Sequence, residues 1–231
     1  MTLTVDGRTF ATLGEVHDWA RRTLPEHVTV QATGVITGHG TSWSWPVPLT
    51  IRGGVWDGQN ADGWWLSHRV PTPLLIEGVE VRRFRTGGLD AGQPERVRGA
   101  VAVRDSVFRE IGGGPGYAAI YASDCDIAVT GCEFRELVQD PQGPLLHACY
   151  LVRSKARISG CRVSSCSGDA FRARDGSVME VDHCSAKRAG VQALASTWRA
   201  DGERPSQITV RNSKPGTTYL GRPALAAFRV R

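Results

Sequence analysis

Lysine is almost missing from this 231-residue chain, with 3 lysines against 25 arginines. So skewed a ratio fits a GC-rich coding genome and says little about mechanism. No stretch approaches the roughly 20 apolar residues of a membrane span, and the first twenty residues carry no apolar run behind a positive start. The expectation is a soluble protein made in the cytoplasm without a signal peptide, with no membrane partner. No low-complexity linker separates two globular units, so the chain reads as one domain with a cap. A C-x-x-C pair is also lacking, which argues against a zinc knuckle, and the six cysteines are expected to be reduced packing residues. Cys125 and Cys166, near turns, are the expected accessible thiols.

What is present is a repeat. The phrase of apolar residue, turn residue, small residue and apolar residue recurs at Ile51-Arg52-Gly53-Gly54, Val103-Arg104-Asp105-Ser106, Val129-Thr130-Gly131-Cys132, Ile158-Ser159-Gly160-Cys161, Val181-Asp182-His183-Cys184 and Val210-Arg211-Asn212-Ser213, with a weaker copy at Ile76-Glu77-Gly78-Val79. The first residues of these phrases are spaced by 25, 27, 26, 29, 23 and 29 residues. A period in this range with strand character inside each unit means a solenoid of β-coils, whose core exists only when neighbours stack. Stacking predicts columns: Ile51, Val103, Val129, Ile158, Val181 and Val210 inward; Gly53, Gly78, Asp105, Gly131, Gly160, His183 and Asn212 at a tight bend; then a mostly small column, Gly54, Val79, Ser106, Cys132, Cys161, Cys184 and Ser213. A second ladder runs through Ala119-Ile120-Tyr121, Ala148-Cys149-Tyr150, Ala170-Phe171-Arg172, Ala193-Leu194-Ala195 and Ala224-Leu225-Ala226.

These coil phrases, together with His147-Ala148-Cys149-Tyr150, Gly168-Asp169-Ala170-Phe171 and Leu49-Thr50-Ile51-Arg52, resemble the pectin-lyase-like superfamily. The resemblance implies an all-β fold, a single-stranded right-handed parallel β-helix over residues 47–231, and the right-handed rule for parallel connections gives the same hand. It does not fix chemistry, because that group spans lyases, glycosidases, epimerases, tailspikes and scaffolds. The polygalacturonase type uses several clustered aspartates where this chain offers Asp169 and Asp175, and its histidine motif is matched only by Gly38-His39-Gly40, far too early. No stacked acidic column suits the calcium-dependent lyases, so no metal or cofactor is implied.

Residues 1–46 are read as an N-terminal cap. A short strand over 2–10 precedes an amphipathic capping helix, opened by the capping box Thr12-x-x-Glu15, ended by Pro25, and burying Leu13, Val16, Trp19, Ala20 and Leu24. Residues 28–46 are expected as an irregular first coil and residues 221–231 as a last strand. Trp43, Trp45, Trp56, Trp64 and Trp65 crowd the early coils. Trp56 belongs to the core column of Phe108 and Phe134; of Trp64 and Trp65, one points in and the other out, as sugar platforms, a subunit contact or residues under the cap.

With Ile120, Cys149, Phe171 and Leu194 inward, the outward residues are Tyr121, Tyr150 and Arg172, then Ser123, Val152 and Arg174, with Ala118, His147, Asp169 and Gln192 at the strand starts. His147, Tyr150, Asp169 and Arg172 therefore share two adjacent coils, flanked by inserts over 112–116 and 139–144. A His or Tyr that moves a proton beside an Arg that holds a carboxylate is what β-elimination or C5 epimerisation of a uronate needs. The plainer account makes Asp169 a turn residue and the tyrosines a stabilising stack. Candidate catalytic residues are thus His147, Tyr150, Asp169 and Arg172, and candidate binding residues Tyr121, Arg174, Trp64 and Trp65.

The net charge of +5 suits an anionic partner such as a uronate glycan, but at so modest a charge solvated strand-face arginines are the better account. Nucleic acid is disfavoured, since no recognition motif is present. Three functions stay open: a virion component, such as a phage tail or receptor-contacting β-helix, expected as a homotrimer that binds a glycan or partner surface; a polysaccharide lyase, epimerase or glycosidase; and an intracellular enzyme of a specialised pathway. The missing signal places the virion reading first.

Overall fold

A computed structural model describes residues 2–38, 41–42, 44–92, 98–138, 145–190 and 194–217. The triplet histidine His39, Trp43, the 139–144 insert, Gln192, Ala193 and the expected strand and ladder rung within 221–231 lie outside the described residues.

Each coil gives one strand to each of three parallel sheets, because three runs of alternating apolar residues are separated by three bends. The first sheet has ten strands, the second eight and the third seven. Its inward column runs in unbroken register through Val30, Ile51, Ile76, Val103, Val129, Ile158, Val181 and Val210. The second sheet stacks Ile36, Trp56, Val81, Phe108, Phe134, Val163 and Ala186, with Phe108 and Phe134 in a near-parallel ring stack at 5.4 Å. Each large side chain hidden this way contributes about 1.5–3 kcal/mol. The third sheet stacks Leu66, Leu89, Ile120, Cys149 and Phe171, but its next rung is Ala195 and not the expected Leu194. The one-residue slip keeps Leu194 fully buried at the bend.

The expected turn column is left-handed at all seven positions, from Asp105 (φ 47°) to Gly53 (φ 69°). Two further bend columns carry no glycine: Arg83, Glu110, Glu136, Ser165 and Arg188 between the second and third sheets, and Asp124, Arg153 and Asp175 between the third and first. The small column does more than fill space. Ser106, Cys184 and Ser213 accept the backbone N–H of Val79, Cys161 and Cys184, one coil earlier, at 3.3, 3.4 and 3.0 Å. A second such spine joins Cys125, Ser154, Ser177 and Ser206. All six cysteines are buried and outside any disulfide, so the expected accessibility of Cys125 and Cys166 is corrected: both are 0% exposed, because each Sγ is turned inward onto a carbonyl, of Ala91 and Leu146 respectively. Burial pushes the Cys166 thiol up to about 12.

At the N-terminus the expected single strand is a hairpin, Thr2–Val5 with Arg8–Phe10, turning on the left-handed pair Asp6-Gly7. Thr2–Val5 also pairs antiparallel with Val28–Thr33. The helix spans Leu13–Thr23; the Thr12 hydroxyl accepts from the Glu15 N–H, and the Glu15 carboxylate from the Ala11 N–H. Leu13, Val16, Trp19 and Ala20 are buried as expected, joined by His17 against Trp45. Leu24 is not: it is the left-handed C-cap, 65% exposed. Residues 28–46, expected irregular, supply Val28–Thr33, Val35–Thr37 and Thr41–Ser42, one strand to each sheet and each in parallel register with the next coil.

Candidate active site

The outer face of the third sheet carries the candidate residues. Its outward column is Ser67, Asp90, Tyr121, Tyr150, Arg172 and Ser196. Tyr121 and Tyr150 stack at 6.1 Å, Trp64 approaches Tyr121 at 6.3 Å, and Tyr117 approaches Tyr150 at 6.0 Å. The Trp64 indole covers Gly87, where any Cβ would lie 2.1 Å from its ring. Trp65, expected as a binding residue, is corrected: its side chain points inward, 2% exposed, against Trp56 at 5.4 Å.

A cleft of about 260 Å³ opens on this face, lined by Tyr117, Leu145, His147, Tyr150, Arg172, Arg174 and Trp198. Strand alternation and register bring four of the expected residues to it. Tyr117 and Trp198 were not foreseen, although one closes the 112–116 insert and the other is the register partner of Arg174. The insert is anchored by Arg85, whose Nε and Nη2 donate to the Gly113 carbonyl at 3.2 and 2.6 Å. Tyr121, Trp64 and Asp169 do not line the cleft.

Asp169 acts from behind it. Its backbone carbonyl lies 2.7 Å from His147 Nδ1, and its carboxylate 3.6 Å from Arg172 Nη1. A carbonyl only accepts, so Nδ1 carries the proton and Nε2 holds the imidazole lone pair. Burial, reinforced by the Arg172 charge, holds His147 down at about 4, so the ring is neutral near pH 7. The two rings of His147 and Tyr150 are 5.3 Å apart. Arg172 Nη1 donates to Ser196 Oγ at 2.9 Å, whereas its buried Nε–H meets no acceptor among the described residues. Arg174 pairs with buried Asp175 at 2.5 Å and lies 4.0 Å over the Trp198 ring. The cleft therefore offers a neutral base, a phenol and two guanidiniums.

A larger groove of about 690 Å³ runs along the outer face of the first sheet, floored by Leu75, Ala102 and Ala128. Methyl groups make that floor, so size and chemistry part company here. Among the described residues no three His, Cys, Asp or Glu side chains gather as metal ligands, and no helix is long and apolar enough to cross a membrane.

No protein-family model matches the chain, and no curated protein matches it. Among solved structures, the periplasmic alginate epimerase AlgG is similar over 89% of this chain and 85% of that one, at 10% identity and a TM-score of 0.25. A likeness that loose carries no argument about activity.

Proposed function

We propose that the cleft binds the uronate units of an acidic polysaccharide and moves the proton on the carbon next to the carboxylate, as a lyase or C5 epimerase does. The observation that carries this reading is the buried Arg172 Nε–H, which has no acceptor among the described residues, in the same cleft as the neutral base His147. A buried donor left unmade costs about 1–3 kcal/mol, and a carboxylate supplies what it lacks. Arg172, with Arg174 beside it, holds the carboxylate and stabilises negative charge that develops on it when C5 loses its proton. His147 Nε2 accepts that proton. In elimination the C5–H electron pair forms the C4–C5 double bond, the C4–O4 bond breaks, and O4 takes a proton from the Tyr150 hydroxyl. In epimerisation Tyr150 instead returns a proton to C5 from the opposite face. A carboxylate bound beside His147 raises its affinity for a proton, which strengthens it as a base once substrate arrives.

The test is incubation with polyuronates in D2O. Unsaturated ends mark the lyase, and deuterium at C5 with inverted configuration marks the epimerase. Neither product from any polyuronate, with wild-type protein shown to be folded, overturns the proposal. No observation among the described residues favours the virion role over this one.

A further inference from the structure

The charge of the chain is unevenly placed. Residues 183–231 hold nine Lys or Arg against two Asp or Glu, whereas residues 1–182 hold 19 against 21. On the outer face of the second sheet the early coils neutralise themselves. Asp57 pairs with Arg82 and Arg83, Glu80 with Arg82 and Arg109, Glu110 with Arg109, and Glu133 with Arg135. The later coils of the same face do not. Register places Glu133, Arg162, Ser185 and Lys214 in one outward column, and Arg135, Ser164 and Lys187 in the next. Arg162, Lys187, Arg188 and Lys214 are exposed and form no ion pair among the described residues. Arg162 alone approaches an acid, adding to the lowering of Glu133 that Arg135 chiefly causes. Coils spaced about 4.8 Å apart put these cations over about 10 Å of solenoid.

This patch adjoins the cleft. Arg162–Cys166 leads into Phe171–Arg174, the strand of Arg172 and Arg174, through only residues 167–170. Lys187 and Arg188 share a coil with Trp198. No insert stands between the two faces at residues 167–170, unlike the coil before, which carries 138–146 there.

We infer that the bound molecule is a long acidic polysaccharide that leaves the cleft, rounds the bend at Ser165 and Arg188, and continues along Arg162, Lys187, Arg188 and Lys214. This rests on the uronate reading of the cleft and extends it from a sugar unit to a polymer. Clustered cations outside any ion pair among the described residues let a polyanion bind with release of counterions, so the gain grows with chain length and fades with salt. Ser164 and Ser185 lie between the cations where single-stranded nucleic acid would need aromatic platforms.

The experiment compares polygalacturonate with its trimer, by calorimetry at low and high salt, for the wild type, K187E/R188E/K214E, the milder K187Q/K214Q, and R172A. Thermal melts accompany each variant. The expected result is a polymer bound about tenfold or more tighter than the trimer at low salt. That gap should shrink with salt and with K187Q/K214Q and close in the triple variant, while trimer binding stays unchanged. Equal binding of polymer and trimer, or a gap that survives the triple variant, overturns the inference. If R172A leaves both ligands bound as before while the triple variant loses the polymer, the track stands and the uronate cleft falls. Duplex DNA bound as tightly as the polymer overturns the glycan assignment.

Discussion

His147 is neutral because burial, helped by the Arg172 charge, outweighs the Asp169 carbonyl, which accepts the Nδ1 proton, fixes the tautomer and by itself favours the charged ring. Its folded value near 4 lies below the ordinary 6.5. The contribution to stability is therefore complete above pH 6.5 and is lost as pH falls toward 4, at most about 3 kcal/mol. Buried His68, also held below its ordinary value by desolvation, acts in the same direction. Urea midpoints should fall between pH 6.5 and 4, and both His147→Gln and His68→Gln should flatten the slope; a flat wild-type profile would contradict the neutral assignment. Catalysis follows the same sign, with kcat/KM holding through neutral pH and declining as the base is protonated near about 4. At Arg172 the planar fork matters, so Arg172→Lys keeps charge yet should lose most turnover, and Arg172→Ala all of it, with melting temperature nearly unchanged. Turnover retained by Arg172→Ala would remove that guanidinium from the site.

At the scale of single columns, the small-residue spine has a consequence that packing alone does not predict. Its members donate to a carbonyl two residues back, as Cys161 does to Ser159 at 3.4 Å, and serine does the same at Ser106 and Ser213. Cys161→Ser should cost less than Cys161→Ala, which loses both volume and hydrogen bond for about 1–2 kcal/mol. Equal losses in denaturant titrations would make the column mere filler. This column and its left-handed bend were legible because Gly, Asn, Ser and Cys advertise both. The bends at Arg83, Glu110, Glu136, Ser165 and Arg188 were not, since none of these residue types favours positive φ, and neighbouring rungs hold them there against a local cost of about 1–2 kcal/mol. Leu194 slipped by one rung for a related reason: Ala-Leu-Ala reads alike in either register. In the cleft, alternation placed Tyr150, Arg172 and Arg174 on one outward face. Nothing in residue order showed that Asp169 would serve through its backbone carbonyl.

For the whole molecule, the catalytic reading and the virion expectation separate by mass and turnover together. Light scattering near 25.0 kDa with uronate turnover is the expected outcome. A trimer without turnover, burying outward aromatics such as Trp64, would retire the cleft as an active centre. The antiparallel strand Thr2–Val5 bears on how the protein is made. It pairs on one side with Arg8–Phe10 and on the other with Val28–Thr33, so residues 2–33 build a template edge from contacts close in sequence. Among the described residues each later coil pairs with the one before it, so its partners lie only one repeat away in sequence. Growth from that edge leaves the strands of the newest coil open to pairing until the next coil covers them. Nested C-terminal truncations at coil boundaries should keep protected amides in the early rungs, whereas deleting residues 1–33 should leave the later coils without a seed.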